Sequence, residues 1–191
     1  MEKLYRINEV IEYNEGEVSE FAAGEFEQCT FANFAFDKRA LVDGIFIDCL
    51  FKNCNLSMVS TDHIVFRDVR FEDCKLAGVH FENCNQFGLS FSFVNCTMQN
   101  ASFYGVKIPN TNFSGCNIRE ADFSKTDLAG AVFENCDLTD ALFEATILNK
   151  ADLTSALGYR IDPQKNSIKK TKFSLQGLPG LLASYDIVIK P

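Results

Sequence analysis

The sequence lacks the features that mark most enzymes and membrane proteins. It has no Gly-rich phosphate loop and no G-x-S-x-G motif, so we expect a non-enzymatic protein that needs no cofactor. No apolar run reaches the roughly 18 residues of a membrane span, and no signal peptide is present. We therefore expect a soluble, cytoplasmic protein that does not associate with a membrane.

Metal-binding and disulfide patterns are missing as well. The eight cysteines form no C-x2-C pair, and neither His63 nor His80 accompanies them, which argues against a zinc site. The two histidines are expected to be solvated rather than to bind a metal. Without a secretion signal the thiols are expected to stay reduced. We interpret the cysteines as small apolar residues that fill interior positions.

Tryptophan is also absent, whereas phenylalanine occurs 19 times, and its spacing is regular. A large apolar residue recurs every five residues, which fits neither an amphipathic helix nor an alternating strand. A chain that turns a corner every five residues would close a square coil in 20 residues, and such coils would stack about 4.8 Å apart. One column of this pattern, with spacings of 20, 20, 22, 20 and 20, consists of Phe31, Phe51, Phe71, Phe93, Phe113 and Phe133.

The cysteines support the same register independently. All eight stand two residues before a centre of the repeat, and five of them repeat the spacings 20, 22, 20 and 20. They are therefore expected to form a ladder inside the coil. The shared two-residue shift indicates a single insertion at residues 87–92, which we interpret as a bulge or a join. The ladder comprises Cys54, Cys74, Cys96, Cys116 and Cys136.

The repeat unit resembles that of the pentapeptide-repeat family, whose pattern is small, polar, Leu or Phe, polar, polar. The stretch CDLTD-ALFEA-TILNK-ADLTS, residues 136–155, shows it clearly. The resemblance implies an all-β solenoid, a right-handed quadrilateral β-helix, which the sequence length sets at about seven coils with N- and C-terminal caps. We expect an N-terminal cap at residues 1–20, the repeats at 21–158 and a C-terminal cap and dimerisation tail at 159–191.

Some local features depart from the repeat. Arg39 occupies a small interior position, and Thr61 and Gln86 occupy centres, although burying an unpaired polar group is costly. We expect a bulge at residues 37–39 and a side-chain hydrogen bond for Gln86. In the tail we expect a strand across the last coil at 168–175, a helical turn at 177–183 and a last strand at 187–189.

Charge is distributed unevenly along the chain. The net charge is −8, but residues 159–191 contain six Lys or Arg against two Asp, so the remaining residues carry −12. A body of that charge repels phosphate, so we expect no direct nucleic-acid binding. One side of the coil collects acids, with Lys125 as a base among them. The candidate partner-binding residues on this acidic side are Glu20, Asp43, Asp62, Glu82, Asp122 and Glu144.

Two hypotheses for function follow. The chain is similar to the quinolone-resistance (Qnr-type) members of the family in length and in its two repeat segments joined at a break. That resemblance implies a homodimer through the C-terminal tail and an acidic rod that mimics DNA, binds DNA gyrase or topoisomerase IV and protects it from quinolones. The alternative is a general protein-interaction or structural rod with an unrelated partner.

Overall fold

The protein is described by a computed structural model that covers residues 4–13, 21–185 and 187–190. These residues form an all-β solenoid of about eight coils. At a rise of about 4.8 Å per coil, the stack is roughly 38 Å long. The strands are Tyr5–Ile7 (β1), Val10–Glu12 (β2), Glu25–Glu27 (β3), Thr30–Ala32 (β4), Ile45–Ile47 (β5), Leu50–Lys52 (β6), Val65–Arg67 (β7), Val69–Glu72 (β8), Phe91–Val94 (β9), Asn112–Ser114 (β10), Val132–Glu134 (β11), Asp152–Leu153 (β12) and Lys172–Phe173 (β13).

The coil has four sides, which we name A to D in chain order. Side A contains the parallel sheet β1-β3-β5-β7, and side B contains the nine-stranded parallel sheet from β2 to β13. On sides C and D, single parallel bridges join one coil to the next, such as Asn117↔Asp137 on side C and Ser102↔Asp122 on side D. Each rung contacts the rung 20 residues later, or 22 across the break, as Phe51↔Phe71 and Phe71↔Phe93 show. The register predicted from the sequence is confirmed.

The corners depend on a backbone conformation that most residues avoid. Among the described residues, twenty-one other than glycine have a positive φ, and twelve of them are Asn or Asp, the residues that tolerate this region best after glycine. Asn33 and Asn53 occupy one such corner on successive coils, and Asn53 donates a 2.8 Å side-chain hydrogen bond to Asn33. The polar residues of the repeat therefore set the turns.

The core is a set of stacked columns inside the coil. The phenylalanine rings of side B lie nearly parallel, with centroids 4.8 Å apart for Phe113 and Phe133. Rings of neighbouring sides meet edge to face, as Phe113 and Phe123 do. Such offset and perpendicular pairs are the favoured ring geometries. All eight cysteines are buried and free, as the sequence predicted.

The ladder extends beyond the range 21–158 at both ends. β1 and β2 pair in register with β3 and β4, so they add one rung to side A and one to side B. At the other end β13 pairs parallel to β12 and continues the stack, instead of crossing the last coil as expected. The structure has about eight coils where about seven were expected, because these strands add to the stack beyond residues 21–158.

The C-terminal tail folds into two 3-10 turns, at Leu178–Leu181 and Ala183–Tyr185. Gly177 and Gly180 allow the tail to lie against Tyr159, since a Cβ at either position would clash with that residue. The helical turn was thus predicted correctly. The expected strand at 187–189 was wrong, because these residues are exposed and have no strand partner.

The irregular units behave largely as expected. Arg39 is exposed, and Ala40 takes the buried position beside it, so the chain bulges there. Thr61 stays buried and donates a hydrogen bond to the carbonyl oxygen of His80. Gln86 is exposed and donates to the carbonyl oxygen of Cys84 at 3.0 Å. Across the described residues no helix is long and apolar enough to span a membrane.

Candidate functional site

The structure places the predicted acidic residues on one side, D, of the solenoid. The centres beneath them are stacked rings, and Phe81 and Phe103 lie 4.5 Å apart with nearly parallel planes. On the surface, the Asp43 backbone N–H donates to the Asp62 carbonyl oxygen at 3.2 Å, which joins two successive coils. Glu20 lies outside the described residues. The other five candidates, Asp43, Asp62, Glu82, Asp122 and Glu144, are all at least partly exposed.

The N-terminal part of side D is the more acidic. Asp43 and Asp62 are exposed, and among the described residues neither forms an ion pair with Lys or Arg. Glu82, on the next coil, accepts a hydrogen bond from Ser102 and contacts His80. Among the described residues, no Lys or Arg forms an ion pair with the carboxylates of these three coils, although Arg39 is exposed on the first of them.

The C-terminal part of side D has alternating charge. The Glu144 carboxylate lies 3.8 Å from the Lys165 ammonium on the following coil. The carbonyl oxygen of Glu144 accepts a hydrogen bond from the backbone N–H of Lys125. Lys125 also donates to the Tyr104 hydroxyl at 2.6 Å and lies over that ring. This contact with Tyr104 raises the pKa of Lys125, so the cation persists to high pH. Lys125 and Lys165 therefore place positive charge next to Glu144.

Three residue types used in hydrolases meet at Glu82, but their arrangement does not suit catalysis. His80 Nδ1 and Ser102 Oγ both lie 2.9 Å from the same oxygen, Oε1 of Glu82. A nucleophilic serine needs a hydrogen bond to the histidine that removes its proton. Here the carboxylate separates the two, and its other oxygen is buried without a partner. The spacing of 20 residues from Glu82 to Ser102 could have revealed this cluster in the sequence.

The described residues include no group of three or more side chains able to bind a metal ion. The cysteines have an interior role, because they donate to backbone carbonyls. Cys54 Sγ lies 3.4 Å from the Phe31 carbonyl oxygen, and Cys74 Sγ lies 3.3 Å from that of Phe51. Burial raises the pKa of Cys84 to about 12, which keeps that thiol protonated.

The break between the repeat segments forms a small loop on side A. Phe87 at its tip is 78% exposed, and the Arg67 guanidinium lies 5.5 Å from its ring centroid. Ser90 links the loop to the preceding coil through a 3.0 Å hydrogen bond to Asp68. The two extra residues are therefore accommodated on side A, while side B keeps an unbroken ladder.

The tail carries the largest group of exposed apolar side chains. Val188 is 85% exposed and Leu175 is 79% exposed. Tyr185 is tied to the last coil by a 2.9 Å hydrogen bond from Gln164. The other exposed apolar residues of this segment are Leu178, Leu182, Ile187 and Ile189.

Comparison with known proteins identifies the repeat. Residues 89–174 match the model of a pentapeptide repeat region. No curated protein sequence matches the chain. Among solved structures, a trypsin-treated variant of QnrB1, a plasmid-mediated fluoroquinolone resistance protein, has 20% identity and a TM-score of 0.51, with 98% of each chain covered. HetL, a pentapeptide repeat protein from Nostoc sp. strain PCC 7120, has 12% identity and a TM-score of 0.28, with 84% of this chain and 91% of HetL covered.

Proposed function

Because the chain carries a pentapeptide repeat region and has the fold of pentapeptide repeat proteins, we propose that it is a non-enzymatic, cytoplasmic protein-binding rod. Its acidic side mimics DNA and binds a type II topoisomerase, DNA gyrase or topoisomerase IV. The observation that supports this most directly is the row of carboxylates at Asp43, Asp62 and Glu82 on successive coils of side D.

The geometry of this row suits a groove that holds a phosphate backbone. A solenoid repeats its surface groups about every 4.8 Å along its axis. Duplex DNA carries one charge per roughly 1.7 Å when both strands are counted, so the row has about a third of that density. The row therefore matches duplex DNA in the sign of its charge but not in its charge density. Complementary fields of this kind mainly accelerate and orient association.

We propose that the partner-binding surface lies mainly on the N-terminal half of side D. Lys165 and Lys125 lie beside Glu144, whereas no cation is paired with Asp43 or Asp62 among the described residues. Exposed ion pairs contribute little to stability, but they do cancel the field that a partner would sense. We therefore assign the main role to Asp43, Asp62 and Glu82, and a minor one to Asp122 and Glu144.

Inhibition of gyrase supercoiling tests the proposal. The wild-type protein should inhibit in a dose-dependent way, and the double substitution Asp43→Lys with Asp62→Lys should raise the required concentration at least about tenfold, because both charges act on association. Lysine already occupies the left-handed corner conformation at Lys125 and Lys150, so the Asp43 change should not distort the backbone.

A matched control distinguishes the effect of these positions from the effect of the changed net charge. Asp48→Lys with Asp73→Lys makes the same charge change at corners away from side D, at residues that are also exposed. The control should inhibit within about twofold of wild type. If wild-type protein at roughly tens of micromolar leaves supercoiling and quinolone-stabilised cleavage unchanged, the topoisomerase is not the partner, and the alternative of a rod with an unrelated protein partner replaces it.

A further inference from the structure

The last coil of the solenoid carries positive charge around most of its circumference. Whereas the sequence shows only a basic tail, the structure wraps these residues around the end of an acidic rod. Lys165 and Lys172 are neutralised by ion pairs, at 3.8 Å with Glu144 and 2.9 Å with Asp152. The basic residues of this coil are Arg160, Lys165, Lys169, Lys170 and Lys172.

Three lysines gather at the corner between sides A and B. Lys150 and Lys170 occupy equivalent corner positions on successive coils, with φ of 63° and 61°. The backbone N–H of Lys150 donates to the Lys169 carbonyl oxygen at 2.9 Å, so all three residues are adjacent. All three are exposed, and none forms an ion pair within the described part of the chain.

A surface groove leads along this corner to the lysines. Its floor consists of small residues, Ala129 and Gly130, and no carboxylate lines it. The Asn149 side chain fixes the local backbone, because its oxygen accepts 2.8 Å and 3.0 Å hydrogen bonds from the Lys169 N–H and the Ser167 hydroxyl. The remaining lining residues are Pro109, Asn110 and the three lysines.

We propose that this lysine corner, Lys150, Lys169 and Lys170, is a docking site for the phosphodiester backbone of nucleic acid. Clustered ammonium groups repel one another unless an anion compensates them, and lysine binds phosphate as a compact point charge. Consecutive phosphates along one strand can meet lysines on consecutive coils. The shallow uncharged floor leaves room for the sugar-phosphate chain without a repelling carboxylate.

The body charge of −12 limits this site without abolishing it. The acidic coils lie along the rod, whereas the lysine corner is at its end, and at physiological salt charges more than about 8 Å apart are largely screened. Binding is therefore confined to one end, weak and sensitive to salt. For this end of the rod the proposal therefore differs from the expectation of no nucleic-acid contact, which rested on net charge. The inference goes beyond the proposed topoisomerase surface and does not depend on it.

The test measures anisotropy of a fluorescein-labelled duplex of about 20 base pairs with the full-length protein, over a range of low salt concentrations. Replacing Lys150, Lys169 and Lys170 together by Gln should weaken binding at least about tenfold and lower the slope of log Kd against log salt by about 2 to 3, since each lost phosphate contact removes roughly 0.9. Gln28 already adopts the same corner conformation, so these changes are compatible with the fold.

The matched control replaces Lys38, Lys52 and Lys75 by Gln, which removes the same charge from exposed positions in the N-terminal half. It should change Kd less than about threefold. Equal losses in the two variants would show that net charge alone drives binding and would overturn the site. So would the absence of binding to the duplex at low salt, or binding only to vesicles of phosphatidylserine. Because no topoisomerase is present, the outcome is independent of the supercoiling assay.

Discussion

At the scale of single residues, the inward position two residues before each centre determines how closely the coils stack. Thr126 and Thr146 are buried there, and their hydroxyls donate to carbonyl oxygens of the preceding coil at 2.6 Å and 2.8 Å. Cys136 makes the equivalent contact with the Phe113 carbonyl oxygen at 3.4 Å. A small side chain that can also donate satisfies a buried acceptor without leaving a cavity. This explains why Cys and Thr share the position with Ala.

The buried thiols predict a loss of stability in alkali. Burial raises the pKa of Cys84 to about 12, whereas an unfolded thiol titrates near 8.5. Below about pH 8.5 both states hold the proton and stability is unaffected. Above it only the unfolded state ionises, so stability falls by up to about 1.4 kcal/mol per pH unit for each such thiol until the folded pKa is reached. The pKa values of three other thiols are raised as well: burial raises the pKa of Cys49 to about 11, and hydrogen bonds along the cysteine ladder raise those of Cys96 and Cys116 to about 12.

Urea denaturation at about pH 8 and about pH 10 measures this effect. The free energy of unfolding of the wild-type protein should be lower at the higher pH than at the lower one. Cys84→Ala should have a lower free energy of unfolding than wild type at the lower pH, but its free energy should decrease less between the two pH values. A wild-type value that does not change with pH would mean that the thiols ionise equally in both states.

At the scale of elements, each face of the solenoid is stabilised by a column of side chains rather than by long strands. No described strand exceeds four residues, so backbone pairing alone provides few contacts. The phenylalanine column of side B supplies the rest, with Phe113 packed between Phe93 at 5.2 Å and Phe133 at 4.8 Å. The column continues across the break, which is why the insertion leaves β8 and β9 paired.

Phe113→Ala should lower the free energy of unfolding by about 3–5 kcal/mol, because it opens a cavity in the middle of the column. Phe143→Ala is the comparison, since Phe143 ends the column of side D, is 7% exposed and stacks on Phe123 alone. Phe143→Ala should lower the free energy of unfolding clearly less than Phe113→Ala does. Chemical denaturation of both variants provides the measurement, and equal losses would contradict a linear stack in which end positions have fewer neighbours.

At the scale of the whole molecule, the two ends of the rod differ. The N-terminal coils carry the uncompensated carboxylates of side D, whereas the C-terminal coil carries the lysine corner and an apolar tail. A solenoid cannot bury such a tail within its own stack, because each coil contacts only its neighbours. We propose that a second copy covers it, which gives a homodimer joined end to end through the tail.

Light scattering should show twice the monomer mass for the full-length protein, and small-angle X-ray scattering should show a maximum dimension about double that of one rod. Val188→Asp with Ile189→Asp should give a monomer, because it places charges in an apolar interface. Phe87→Asp, at a residue of comparable exposure on the break loop, should stay dimeric. A wild-type protein that remains monomeric at high micromolar concentration rules this interface out.

The sequence alone determined the fold. The spacing of large apolar residues, the cysteine ladder and the single two-residue shift fixed the parallel register of every rung from Phe31 to Phe133. A repeat of this kind can be recognised in the sequence because equivalent positions in each coil pack in the same way and therefore need the same type of residue. The arrangement of Asp43, Asp62, Glu82, Asp122 and Glu144 on one side followed from the same register.

Only the tertiary structure decided how charges and ends behave. Lys165 and Glu144 belong to successive coils, and they form an ion pair because their side chains are long enough to meet across the gap between the coils. The spacing of the repeat does not reveal such a pair. The meeting of His80, Glu82 and Ser102, and that of Lys150, Lys169 and Lys170, arises in the same way. The end coils keep an apolar centre on side B, at Ile11 and Phe173, but not on every side, since Arg6 stands where Phe26 and Phe46 follow on side A. A continuous five-residue period therefore does not include β1, β2 and β13.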